Sequence, residues 1–139
     1  MATKSRGQTL PFRAENIMVE AYIVVVLGTS EGQVDLPAAT TDTPLGVTQD
    51  TAAVAGDSVP VMVDGVTKIV AYAGFSKGDL LGIAATTGRV DTISGLDSSF
   101  DYSGGPALAQ KPIGIALEAA TAAGNIVSML IRPFFFPWS

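Results

Sequence analysis

The sequence predicts an all-β domain, a small barrel or sandwich, framed by an extended N-terminal arm and an aromatic C-terminal tail. Three observations carry this. Short runs of Val, Ile, Leu and Ala are interrupted every eight to twelve residues by Gly, Pro, Thr, Ser or Asp, the rhythm of strands joined by tight turns. Two segments, 44–63 and 112–131, repeat one pattern. The one stretch of helix-forming residues, 118–123, is too short to stand alone and is read as a turn.

The elements follow in chain order. Residues 1–16 have little periodicity and are expected to form an arm. Residues 17–27 are one long strand or two in succession. Their centre, 22–27, is continuously apolar, as in a strand covered on both faces. Residues 28–32 turn the chain, 33–36 form a short strand and 37–43 a polar loop. A short strand covers 45–47. Val59, Val61 and Val63 then alternate with Pro60 and Met62. Pro60 cannot donate to a ladder, which places that strand at an edge or a bulge. Asp64-Gly65 is a hairpin signal, with 66–72 as the return strand. A turn at 76–79 leads to a strand at 80–84, and Thr87-Gly88 leads to 89–93. Residues 94–105 are the most loop-like stretch, of a length often given to function. Strands at 113–117 and 126–131 complete a β domain over 17–132, and 133–139 is the tail.

In the repeat, Pro44 and Pro112 begin a strand, and Gly46 and Gly114 suit a bulge or a close backbone approach. Ala55-Gly56-Asp57 and Ala123-Gly124-Asn125 are turns in which the Asp or Asn bonds its own backbone. The alignment is expected to need a one-residue gap between the glycines.

Composition narrows the function. The chain of 139 residues is one domain's worth. Hydrophobic residues make up 47% and charged residues 15%, with a mean hydropathy of +0.40. That apolar surplus exceeds what so small a core hides and points to a partner. The net charge of -5, with eight Lys and Arg, gives no basic stripe for nucleic acid. Without Cys or His the chain lacks disulfides, thiolate metal sites and the commonest general base near neutral pH. The longest apolar run, 21–27, falls short of the roughly twenty residues of a spanning helix. A soluble protein without a cleaved leader or membrane partner is expected.

The order and spacing of Pro44-Leu45-Gly46-Val47, Ala55-Gly56-Asp57, Gly78-Asp79-Leu80, Gly88-Arg89-Val90 and the late segment from Ile113-Gly114-Ile115-Ala116-Leu117-Glu118 to Ile131 carry a family resemblance. Over residues 44–131 the chain resembles the tailed-phage capsid decoration, or cement, proteins. The resemblance implies a compact β-barrel or β-tulip-like domain that binds the outer surface of an icosahedral head. It would clamp neighbouring subunits of the major capsid protein as a homo-oligomer, a trimer being favoured. It implies a virion protein made in the host cytoplasm, with no catalytic residues, cofactor or metal. The loop 94–105 and the tail depart from the shorter members of the family.

Candidate contact residues are aromatic. The tail gathers three of the six Phe and the only Trp, as Phe134, Phe135, Phe136 and Trp138. Such side chains dominate interfaces and are read as packing on a neighbour or on the shell. In the arm, Phe12 and Arg13 are candidate anchors. In the loop, Phe100 and Tyr102 would serve an alternative role, a receptor- or glycan-binding module of a head fibre or tail. Asp57, Asp64, Asp79, Asp91, Asp97 and Asp101 are expected at turns. Asp97 and Asp101 could share a calcium ion, but no EF-hand spacing supports it. A carboxylate-based hydrolase is a third, weaker reading.

Overall fold

Runs of valine, isoleucine and leucine place at least one face of each strand in the interior. The computed structural model describes residues 7–93 and 111–131. In order the strands are β1 (Gln8–Ala14), β2 (Val24–Leu27), β3 (Gln33–Asp35), β4 (Gly46–Thr48), β5 (Ser58–Val70), β6 (Leu80–Ile83), β7 (Val90–Thr92), β8 (Pro112–Ala116) and β9 (Ile126–Ile131). They hydrogen-bond in the order β1-β3-β2-β4-β5-β9-β8-β6-β7, and β1 also pairs with β5. That last pairing closes β1, β3, β2, β4 and β5 into a five-stranded barrel. Closure gives every inward strand edge a partner, which an open sheet this small cannot do. The protein is an all-β small barrel carrying extra strands.

The extra strands repeat the barrel. In the first ring Val47 faces Met62 and Thr48 faces Val61. In the second, Ile115 faces Leu130 and Ala116 faces Met129, each residue 68 positions later. Gly46 to Gly114 and Gly56 to Gly124 share this offset, so the repeat aligns without the expected gap. The equivalence also extends beyond 44–63 and 112–131. The β2–β3 hairpin matches the β6–β7 hairpin, Val26 facing Asp35 as Gly82 faces Asp91. The parallel contact of Ala14 with Val34 returns as the parallel bridge of Ala71 with Val90. The turns agree as well: Asp57 Oδ2 accepts the amides of Ala53 and Val54, and Asn125 Oδ1 accepts those of Thr121 and Ala122.

The expected hairpin at Asp64-Gly65 is absent. β5 runs on as one strand of 13 residues. Its first half pairs with β1 and β4, and its second half, from Gly65 to Val70, pairs with β9. A hairpin would pair the two halves with each other, and these long-range ladders outcompete the local turn signal. Gly65 takes φ of 109°, open to glycine, and redirects the strand from one ring into the other. Asp64 and Asp91 accordingly lie in strands, while Asp57 and Asp79 cap turns as expected. Pro60 is not at an edge. It faces Pro11 across β1 and β5, a pair in which neither residue has a donor to lose.

Residues 8–14 of the expected arm form β1, whose Leu10, Phe12 and Ala14 turn inward. Residues 17–23 are not a continuous strand. Met18 makes an isolated bridge to Ala52, and Tyr22 bends the chain at a φ of 64°. From there β2 behaves as a doubly covered strand only at its start. Val25 faces the first ring's core with Val34, Val59 and Val61. Val24 faces the second core with Val47, Met62, Ile69, Leu81 and Met129.

The rings meet where the second hairpin tip packs on β2. Val24 N donates to Gly88 O at 2.8 Å and Val70 N donates to Tyr22 O at 3.0 Å. In the first ring the equivalent groups bond directly, Arg13 N to Gly32 O. A Cβ on Gly88 would lie 2.6 Å from Val24 O, whereas one on Gly32 would meet nothing within 4 Å. Both glycines have positive φ. Gly32→Ala therefore is expected to cost only the backbone strain, about 1 kcal/mol. Gly88→Ala adds a clash with backbone and is expected to cost about 3 kcal/mol. Urea midpoints of the two variants check the difference; equal losses would disprove this packing.

Candidate interaction surface

An ion pair pins the junction. Glu20 precedes the Tyr22 bend, and Arg89 follows the second hairpin tip. Arg89 Nε donates to Glu20 Oε1 at 3.1 Å and Nη2 to Oε2 at 2.7 Å, a two-point contact. Lys68 Nζ lies 5.5 Å from the centre of the Tyr22 ring. Gln49 Nε2 donates to the buried Thr67 Oγ1 at 2.8 Å, tying the first ring's loop to the second half of β5. These seam groups contact one another, except that Gln49 Oε1 is buried without a hydrogen-bond partner.

The outer surface differs. Met18 points into the core, so its neighbours Ile17 and Val19 point out, Val19 being 83% exposed. Val54 is exposed in the loop whose Ala52 bridges Met18. Leu27, past the end of the covered part of β2, is 66% exposed. On the second ring Tyr72, Leu117 and Ile126 are exposed, with Ile126 facing Val70 and Leu117 N bonded to Ser128 O.

Leu27 is the floor of a groove. Val26, Leu27, Pro44 and Leu45 supply its apolar surface and Asp42 and Thr43 its wall, around a volume of about 360 Å³. It continues past Glu15, Thr29 and Asp35. The wall is rigid because its carboxylates tie down loops. Asp42 Oδ2 accepts Ala38 N at 2.8 Å and Ala39 N at 3.2 Å. Asp35 Oδ1 accepts Leu36 N at 2.8 Å, and its Oδ2 accepts Asn16 Nδ2 at 3.1 Å. Glu15 accepts Thr29 N at 2.6 Å and the Thr29 hydroxyl at 2.9 and 2.8 Å. Those hydrogen bonds, the backbone one first, hold the Glu15 carboxyl below its ordinary value.

The sequence-derived contact residues are placed unevenly. Phe12 is half-buried in β1 and packs against the first core, as do Leu36, Leu45 and Val63. Arg13 is exposed, but its amide closes the first ring. Phe100, Tyr102, Asp97, Asp101 and the tail residues Phe134, Phe135, Phe136 and Trp138 lie outside the described residues. Sequence reading missed Leu27, hidden in a uniformly apolar run, and the Glu20–Arg89 pair, 69 residues apart. Among the described residues no group of three or more His, Cys, Asp or Glu could hold a metal ion.

Comparison with known proteins agrees with this architecture. The sequence profile of a family described as phage cement protein matches residues 4–132. Among solved structures the chain is similar to the N base of the head fibre gp8.5 of bacteriophage phi29, with a TM-score of 0.61 and 21% identity, over 91% of this chain and 95% of that one. At that identity the likeness speaks for a shared fold. No curated protein matches.

The lowered Glu15 pKa fixes a sign. A carboxylate held below its unfolded value stabilises the fold above that value and stops doing so as pH falls through the folded one. The stability difference between the native chain and Glu15→Ala is expected at pH 7 and should shrink below 4.5, the ordinary value. Urea unfolding across that range checks it; a difference that grows in acid would refute it.

Proposed function

This chain belongs to the phage cement protein family, and we propose that it decorates the outer surface of an icosahedral head and clamps neighbouring subunits of the major capsid protein. It is a structural protein of the phage head. The observation that carries the finer reading is the combination of the family match with large apolar side chains standing out from two rigid rings. Such a body binds by burying apolar area, at roughly 25 cal/mol per Å² removed from water. Its many hydrogen-bonded turns keep it from deforming as it does so. Repetition over a shell multiplies a modest contact into a durable one. No chemistry is required of it, so the role is non-enzymatic.

A homo-oligomer, a trimer favoured, and the aromatic residues 134–136 and 138 as its contact to a neighbour or to the shell are part of this proposal. So is a location on the virion's outer face after synthesis in the host cytoplasm. The similarity to a head-fibre base favours one second reading, in which the domain roots or forms a receptor- or glycan-binding module and residues 100 and 102 carry recognition.

Purified chain added to expanded heads that lack it is expected to bind and to raise the temperature at which they rupture. Heads that rupture at an unchanged temperature under saturating protein would sink the clamping role. Removing residues 133–139 is expected to lower both the oligomer mass by native mass spectrometry and the affinity for heads. If neither changes, the tail is not the contact. Alanine at Phe100 and Tyr102 should leave head binding intact; loss of glycan binding alone would favour the second reading.

A further inference from the structure

The two rings share a fold but not a charge. The described residues of the first ring, 7–63, hold seven acidic residues and one basic one, Arg13, a net of -6, and the six sequence positions before them add Lys4 and Arg6. The described residues of the second, 64–93 and 111–131, hold four of each, a net of zero. A duplicated scaffold has no structural need for such a difference: turns and strands are equivalent position by position. The asymmetry coincides with the groove over Leu27. Its three carboxylates, Glu15, Asp35 and Asp42, meet neutral donors: backbone amides, the Asn16 side-chain amide and the Thr29 hydroxyl. These orient the carboxylates without neutralising them. Lys111 Nζ donates to Thr41 O at 2.6 Å, in the loop that carries Asp42. In the middle lies Leu27, two-thirds exposed.

An apolar floor under a negative rim fits a long cationic side chain, which lays its methylene stem on apolar surface and keeps its charged head among carboxylates. It disfavours nucleic acid and any acidic surface. Resting on the cement reading above, we infer that the first ring is the shell-facing ring and that this groove receives an Arg- or Lys-bearing segment of the shell subunit. The neutral second ring is then free to face neighbouring copies or solvent. The charge also steers approach, because an acidic face is attracted to a basic patch over the Debye length.

The test uses the full chain and heads lacking it. Leu27→Lys places a cation on the groove floor at an exposed strand end. Thr43→Lys places one on the exposed wall without touching the floor. Lys77→Glu, in an exposed turn of the second ring, is the control. Each variant is first shown to melt like the native chain. The expected result is that both groove variants lose about tenfold or more in affinity for heads while the control stays within about twofold. Native affinity should also fall as salt rises from about 50 to about 500 mM. Groove variants that bind as tightly as the native chain, or native binding indifferent to salt, overturn the inference and leave the cement role standing. A native chain that does not bind heads at all overturns that role instead, and this inference with it.

Discussion

Strand β5 belongs to both rings, and its backbone ladders are what make the molecule one body. Its first half donates and accepts across β1 and β4, its second across β9. Backbone groups this deeply placed must be paired, because an orphaned amide in a dry interior costs several times what a made bond contributes. The pairing of β5 therefore fixes the spacing of the two rings before any side chain is considered. Val61 turns into one core, and Met62, its neighbour, reaches the other. One strand, with side chains on alternating sides, supplies both.

The rings also explain why there are two and not a longer stack. In the second ring Ile93 N donates to Leu80 O. The first ring has Pro37 at the equivalent place, with no donor to give. Val24 O is thereby left without the ladder donor that Leu80 O has, and on the same residue Val24 N donates to Gly88 O in the tip of the second hairpin. In the first ring the equivalent groups close on each other instead, Arg13 N donating to Gly32 O. One proline and one such closure convert a repeating unit into a closed pair. Equivalent backbones then carry different surfaces. The first ring shows Ile17, Val19, Leu27 and Val54 in an acidic setting, and the second shows Tyr72, Leu117 and Ile126 in a neutral one.

Much of this was legible in advance for local reasons. The strand at 126–131 and the turns at Asp57 and Asn125 come from alternation and from side chains bonding nearby amides, both visible within a few residues. The repeat was visible only where both copies kept Pro, Gly and Asp or Asn in order. The hairpins at 24–35 and 80–92 kept the geometry and lost the likeness, since a ladder constrains backbone and burial, not residue identity. Pro11 masked β1, because a proline inside a strand argues against one unless its partner is also donorless.

The sequence by itself determined the class of the protein: an all-β body, with more apolar surface than it can hide, without the side chains for thiol or imidazole chemistry, and with a family resemblance that the comparison over residues 4–132 bears out. Only the tertiary structure decided where that apolar surface lies. Val24, Val25 and Leu27 are chemically alike and nearly adjacent, yet two are buried and one stands in solvent. Val24 is covered by the second core and Val25 by the first, whereas Leu27, on Val25's side of the strand, lies past the end of that first core. Burial is set by contacts between residues far apart in the chain, and no local pattern records where such a contact stops.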